Sequence, residues 1–189
     1  FRSDAYGTLF DVNSAAEKCK DKIGDKWEAF ANYWRTTQLE YTWLRSMMSR
    51  HKNFWQITED SLDKSMKKFK IQNNMRSELL DLYKILSPYP EVKETLKQLK
   101  NKNYKIAILS NGTPSLLNEL VEKNDMKNLF DDIFSIEEVG IFKPSSKVYE
   151  IPIKKYKIDK GEIAFLSSNT WDISGGGNYG YNCLWVNRK

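Results

Sequence analysis

The chain has 189 residues, 40% of them hydrophobic and 29% charged, with a net charge of +5. Apolar residues spread along the whole length exclude a disordered composition, and no run approaches the roughly 20 apolar residues of a membrane helix. Lys64, Lys67, Lys68 and Lys70, like Lys97, Lys100, Lys102 and Lys105, interleave with apolar positions; they read as solvated helix faces, not a nucleic-acid stripe, and favour encounter with small anions.

In chain order, residues 4–12 (DAYGTLFDV) read as a strand end followed by a tight turn at Gly7. From 14 to about 87 the periodicity is helical. Trp27, Phe30, Trp34, Tyr41, Leu44 and Met48 recur at steps of three, four or seven, one face of a long amphipathic helix. Thr58, followed by Glu59 and Asp60, predicts a capped helix to Phe69. A third helix covers 76–86 and stops before Pro88 and Pro90.

After Pro90 the rhythm changes. Residues 91–100 are helical, and 105–110 (KIAILS) suit a buried parallel strand. Thr113 and Pro114 predict an N-cap and first helical position. A weaker strand at 132–136, a helix at 147–156 disturbed by Pro152, a buried strand at 162–168, a helix from Trp171 and a last strand at 183–186 follow. Alternating strands and helices predict a parallel sheet with helices on both faces. Ligands bind such sheets at the carboxyl ends of the strands, where Asp4, Ser110 and Ser167 fall. The helical segment inserted after the first strand is expected to sit over that edge.

Four patches therefore converge: DAYGTLFD at the start, SNG at 110–112, KP at 143–144 and SSNTWD at 167–172. Together with WRTTQLEYTW at 34–43, they resemble the L-2-haloacid dehalogenases of the haloacid dehalogenase superfamily, over essentially the whole chain. The resemblance implies an α/β fold: a Rossmann-like catalytic core of residues 1–12 and 91–189, with an all-helical cap at 13–90. It implies catalytic roles for Asp4 as nucleophile, with Thr8, Arg35, Ser110, Lys143, Tyr149, Ser167, Asn169 and Asp172. Tyr6, Arg35, Leu39, Phe54, Ser110, Asn111 and Trp171 would bind substrate.

These residue types suit displacement of halide beside a carboxylate. An aspartate can form an ester, splitting one hard step into two. Two anions must meet, so cations such as Arg35 and Lys143 are needed. A positioned base, Asp172, would then activate water. Phosphatases of the same superfamily place a second Asp two positions after the nucleophile; here that position is Tyr6. A hard dication wants several charged oxygen ligands, and SSNTWD has Asp172 as its sole acid, so no metal and no cofactor are expected. A magnesium-dependent phosphatase and an inactive binding homologue are the alternatives.

His51, the only histidine, and the Gly-rich stretch 175–178 are given no catalytic role; the latter would allow close chain approach near Asp172. Cys19 and Cys183 read as isolated thiols. The protein is expected to be cytoplasmic and homodimeric, to take a small haloacid and release halide, and to bind neither nucleic acid nor membrane. Arg2 is an unexpected occupant of a central strand.

Overall fold

The computed structural model describes residues 1–188. Its strands are β1 (Arg2–Ser3), β2 (Ala107–Ser110), β3 (Asp132–Ser135), β4 (Ala164–Ser167) and β5 (Asn182–Trp185). All pair in parallel, in the order β3-β2-β1-β4-β5. The apolar runs explain the centre of this sheet: all of β2 is buried, as a strand covered on both faces must be. In β4, Phe165 and Ser167 are buried, but Ala164 and Leu166 are only half covered.

β1 is short, yet it is the strand that matters most. Arg2 and Ser3 pair with Ala107 and Ile108 on one side and with Phe165 and Leu166 on the other. The Asp4 amide then donates to the Leu166 carbonyl at 2.9 Å, so Asp4 leaves the carboxyl edge of the sheet at its middle. Arg2 is tolerated there because its guanidinium lies 4.4 Å from the Tyr156 ring centroid and Nη1 donates to the Phe1 carbonyl at 2.8 Å. A cation stacked on an aromatic face keeps much of its stabilisation without water.

Helices α1 (Ser14–Lys18), α2 (Lys20–Ile23), α3 (Trp27–Met47), α4 (Phe54–Phe69) and α5 (Arg76–Tyr83) lie between β1 and β2. α3 packs on α4, with Trp34 Nε1 donating to the Thr58 carbonyl at 3.1 Å and Phe30 edge-on to Phe69. The start of α4 differs from the sequence expectation. Asn53, not Thr58, is its N-cap, in a reciprocal capping box with Gln56. Thr58 sits inside the helix, buried, and its hydroxyl bonds back to the Phe54 carbonyl at 2.8 Å. The apolar stripe of α3 also ends early: Phe30 and Trp34 are buried, whereas Leu44 and Met48 are 47% and 59% exposed. Periodicity marks the face a residue occupies, not whether a neighbour covers that end of the helix.

The rest follows the predicted alternation: α6 (Val92–Asn101), α7 (Pro114–Lys123), α8 (Ser146–Tyr156) and α9 (Thr170–Tyr179) join the strands. Thr113 caps α7, accepting from the Leu116 amide, with Pro114 in the first turn. Pro152 lies within α8 without ending it.

Candidate active site

Asp4 is 4% exposed and is followed by a reversal whose left-handed backbone favours glycine. Gly7 has φ +84°, and the amides of Leu9 and Phe10 both donate to the Ala5 carbonyl. Thr8 fastens this loop to the next strand end: its hydroxyl oxygen accepts from the Ser168 amide at 2.9 Å. Ser167, fully buried, accepts from the Asn169 amide at 3.2 Å. That turn aims Asn169, whose Nδ2 donates to Asp4 Oδ2 at 2.8 Å and to the Tyr6 carbonyl at 3.2 Å.

The other carboxylate oxygen meets a cation. Lys143 Nζ donates to Asp4 Oδ1 at 3.1 Å and to Asp172 Oδ2 at 2.9 Å, with its side chain fully buried. Burial alone would lower the ammonium pKa, but Asp172 and Asp4 outweigh it and hold Lys143 charged, above its ordinary range. Tyr149 donates to Asp172 Oδ1 at 2.7 Å. Asp172 is nevertheless pushed above the usual carboxylate range, by burial first and then by the Asp4 charge, against the pull of Lys143. A carboxylate in that condition has gained basicity while remaining oriented.

Arg35 reaches the same loop from α3. Its Nη2 donates to the Tyr6 carbonyl at 3.3 Å and Nη1 to Gln38 Oε1 at 2.9 Å. Arg35, Leu39, Asn169 and Trp171 line one cleft of about 420 Å³, which also touches Gly7. Tyr6 and Phe54 do not line it; they pack behind, ring centroids 5.1 Å apart, with Phe54 against Phe142. The Tyr6 hydroxyl is buried with no hydrogen-bond partner among the described residues. Ser110 accepts from the Gly112 amide at 3.2 Å, shaping the turn after β2. Asn111 Oδ1 accepts from the Lys143 amide at 3.1 Å, tying that turn to the lysine.

The structure thus brings Asp4, Lys143, Asn169, Asp172 and Tyr149 into one hydrogen-bonded cluster, with Arg35 one carbonyl away. A family model of haloacid dehalogenase-like hydrolases matches residues 3–180. The chain belongs to this family. An (S)-2-haloacid dehalogenase of Pseudomonas sp. (strain YL) is 39% identical over 98% of this chain and 81% of that enzyme. (S)-2-haloacid dehalogenase 4A of Burkholderia cepacia is 36% identical over 98% of this chain and 81% of its own. The solved structure of L-2-haloacid dehalogenase from Xanthobacter autotrophicus with chloropropionic acid covalently bound superposes with a TM-score of 0.91. It is 33% identical and covers all of this chain and 77% of that one.

Magnesium sites in the haloacid dehalogenase superfamily need carboxylates free to share a dication. Here the residues do not fit one. The Lys143 ammonium fills the space between Asp4 and Asp172, and Asn169 already donates to Asp4. Among the described residues no group of three His, Cys, Asp or Glu side chains could hold a metal ion.

Sequence reasoning missed Gln38 and Ser168. Gln38 stands three positions after Arg35 on α3, and i, i+3 neighbours face one another on a helix, so that spacing was the available signal. Ser168 holds the Asp4 loop with its backbone amide on Thr8 and its hydroxyl on the Gly7 carbonyl, contacts with residues 160 and 161 positions away that no local sequence pattern marks. Gly175 explains the glycine stretch: a Cβ there would stand 2.6 Å from the Tyr149 hydroxyl and 2.6 Å from Pro144 Cβ.

Proposed function

We propose that this enzyme hydrolyses short 2-haloacids, L-2-haloacids or haloacetates, to 2-hydroxy acids through an ester on Asp4. The observation that carries the reading is the buried Lys143 ammonium bridging Asp4 and Asp172. It supplies, in fixed position, the positive charge needed where two anions must approach.

In this mechanism an Asp4 carboxylate oxygen attacks the halogen-bearing carbon from behind. The C–O bond forms, and halide leaves with the bonding pair of the C–X bond. Carbon inverts. Arg35 and Lys143 neutralise the substrate carboxylate and the departing halide, and Ser110 and Asn111 contribute polar contacts at the carboxylate. Arg35 keeps donors for this task, since a guanidinium has five N–H groups and two are engaged here. Holding nucleophile and carbon together can supply roughly 7–11 kcal/mol of the barrier. Water then attacks the ester carbonyl carbon of Asp4, giving up a proton to Asp172, which Tyr149 and Lys143 orient. The ester breaks at that carbon, so the hydroxy acid keeps the former Asp4 oxygen and the carboxylate regains one from water. Thr8 and Ser167 hold the two loops, Leu39 and Trp171 form apolar walls of the cleft, and Tyr6 and Phe54 back them from the core.

The same reading divides the chain into a catalytic core of 1–12 and 91–189 and a cap from 13 to 90, which carries Arg35 to the core. His51 Nε2 lies 2.9 Å from Glu137 Oε2, and the Ser46 hydroxyl accepts from the Phe142 amide at 3.2 Å; both contacts support a cap seated on the loop bearing Lys143. A homodimer is supported by Leu44, Met47 and Met48, exposed together at the end of α3. A cytoplasmic setting is supported by the two free cysteines.

The test is halide release from L-2-chloropropionate and chloroacetate, with chelator and without added magnesium. Turnover under chelation supports the proposal. Absence of halide from chloro- and bromoacids, with metal-dependent hydrolysis of p-nitrophenyl phosphate instead, overturns it.

A further inference from the structure

Arg35 is the one proposed charge-bearing group that comes from the helical segment, on a half-buried side chain of α3. Long side chains lose rotamer freedom when ordered, so a guanidinium useful in catalysis needs something to hold its plane. The Tyr6 carbonyl, at 3.3 Å, is one anchor. The other is Gln38 Oε1, at 2.9 Å.

Gln38 is 1% exposed, rare for an amide unless its polar atoms are satisfied. They are. Its Nε2 donates to Thr58 Oγ1 at 2.7 Å and to the Tyr83 hydroxyl at 3.0 Å. The amide orientation follows from Thr58, whose proton goes to the Phe54 carbonyl at 2.8 Å. A hydroxyl has one proton, so Thr58 Oγ1 must accept from Gln38. Nε2 therefore faces α4 and α5, and Oε1 faces Arg35. Tyr83 in turn stacks on Tyr6, centroids 5.8 Å apart and planes 17° from parallel, and packs against Trp34 at 5.3 Å. One buried amide thus connects three helices to both the guanidinium and the aromatic ring beside the nucleophile.

We infer that Gln38 is a positioning residue for the dehalogenation: its Oε1, fixed by Thr58 and Tyr83, sets the plane of the Arg35 guanidinium toward the substrate anion. This rests on the reading that Arg35 receives the substrate. Gln38→Leu removes the acceptor at similar volume. Gln38→Glu keeps an acceptor but adds a charge that competes with the substrate for Arg35 and removes the donors to Thr58 and Tyr83. Tyr83→Phe loosens the amide while keeping the aromatic packing.

The experiment is a double-mutant cycle of Gln38→Leu with Arg35→Ala, reading kcat and KM for L-2-chloropropionate beside thermal unfolding. Arg35→Ala alone must lower kcat/KM; if it does not, the role assigned to Arg35 fails, and this inference with it. Given that loss, Gln38→Leu in the parent background is expected to reduce kcat/KM roughly 10- to 100-fold, the scale of a lost hydrogen bond to a charged group. In the Arg35→Ala background it should change kcat/KM less than about threefold, because coupled residues are non-additive. An equal loss in both backgrounds, or no loss in the parent, overturns the inference. Should Gln38→Leu fail to fold, Tyr83→Phe replaces it in the same cycle, with a smaller loss of the same coupled form expected and an equal loss in both backgrounds again contrary.

Discussion

Replacing Lys143 by Met keeps most of the length of the side chain and removes its charge, leaving Asp4 and Asp172 facing each other in the interior. The ammonium bonds them at 3.1 and 2.9 Å, and the three side chains are 0%, 6% and 0% exposed for Lys143, Asp4 and Asp172. Removing one partner of a buried ion pair costs about 3–5 kcal/mol, a large part of the roughly 5–15 kcal/mol that holds a domain folded. The loss should depend on pH. Burial and the Asp4 charge raise the Asp172 pKa above 3.8 even beside Lys143, and without the ammonium the pair must hold a proton to higher pH still. An acid whose folded pKa exceeds its unfolded value binds more protons when folded. Stability then falls as pH rises between the two values, by up to about 1.4 kcal/mol per pH unit for one proton. Urea unfolding of both proteins near pH 5 and near pH 8 is the assay. The deficit of Lys143→Met should be smaller at the lower pH. The parent protein should itself lose stability at the alkaline end. The raised Lys143 pKa contributes stability fully present below 10.5 and lost above it, a loss the variant lacks. A deficit that does not change with pH, or no deficit, would refute the charge argument.

Asp172→Asn should release about one halide per site and then stall, because displacement precedes the step needing a base; mass spectrometry should find the Asp4 ester, and unimpaired steady-state turnover would sink the assignment. Gly175→Ala forces a methyl group to 2.6 Å from the Tyr149 hydroxyl and Pro144 Cβ. We expect a loss of about 1–3 kcal/mol from overpacking and slower ester hydrolysis, read by denaturation and single-turnover kinetics. The acid limb of the kcat pH profile should lie above 3.8, since Asp172 is raised by burial and must be deprotonated to act as base; a limb at or below that value argues against Asp172.

The sheet was legible because β2 and β4, the strands on either side of β1, are largely apolar runs, and Asp4, Ser110 and Ser167 fall where the strands end, a pattern that marks a carboxyl edge. Lys143 and Tyr149 were less so. Tyr149 reaches Asp172 from α8 and Lys143 from the loop before that helix, and the close approach of Tyr149 needs Gly175, whose role is visible only when the neighbouring atoms are placed. The Thr58 cap failed because a threonine before two acids reads as a helix start, while Asn53 offered the stronger reciprocal cap with Gln56. That same misplaced threonine is part of the network around Gln38. A buried amide satisfied by partners 20 and 45 residues away has no signature in local periodicity. Arg2 ran against burial statistics because its compensation, the Tyr156 ring, lies far off in the chain.

Whether the Asp4 carboxylate itself becomes bonded to substrate carbon is decided by one turnover of L-2-chloropropionate in H₂¹⁸O with enzyme in excess. Heavy oxygen should appear in the peptide containing Asp4, and the first lactate formed should carry ordinary oxygen from that side chain. Heavy oxygen in the first lactate, with none in the Asp4 peptide, would mean that water attacks the substrate directly and would contradict the account.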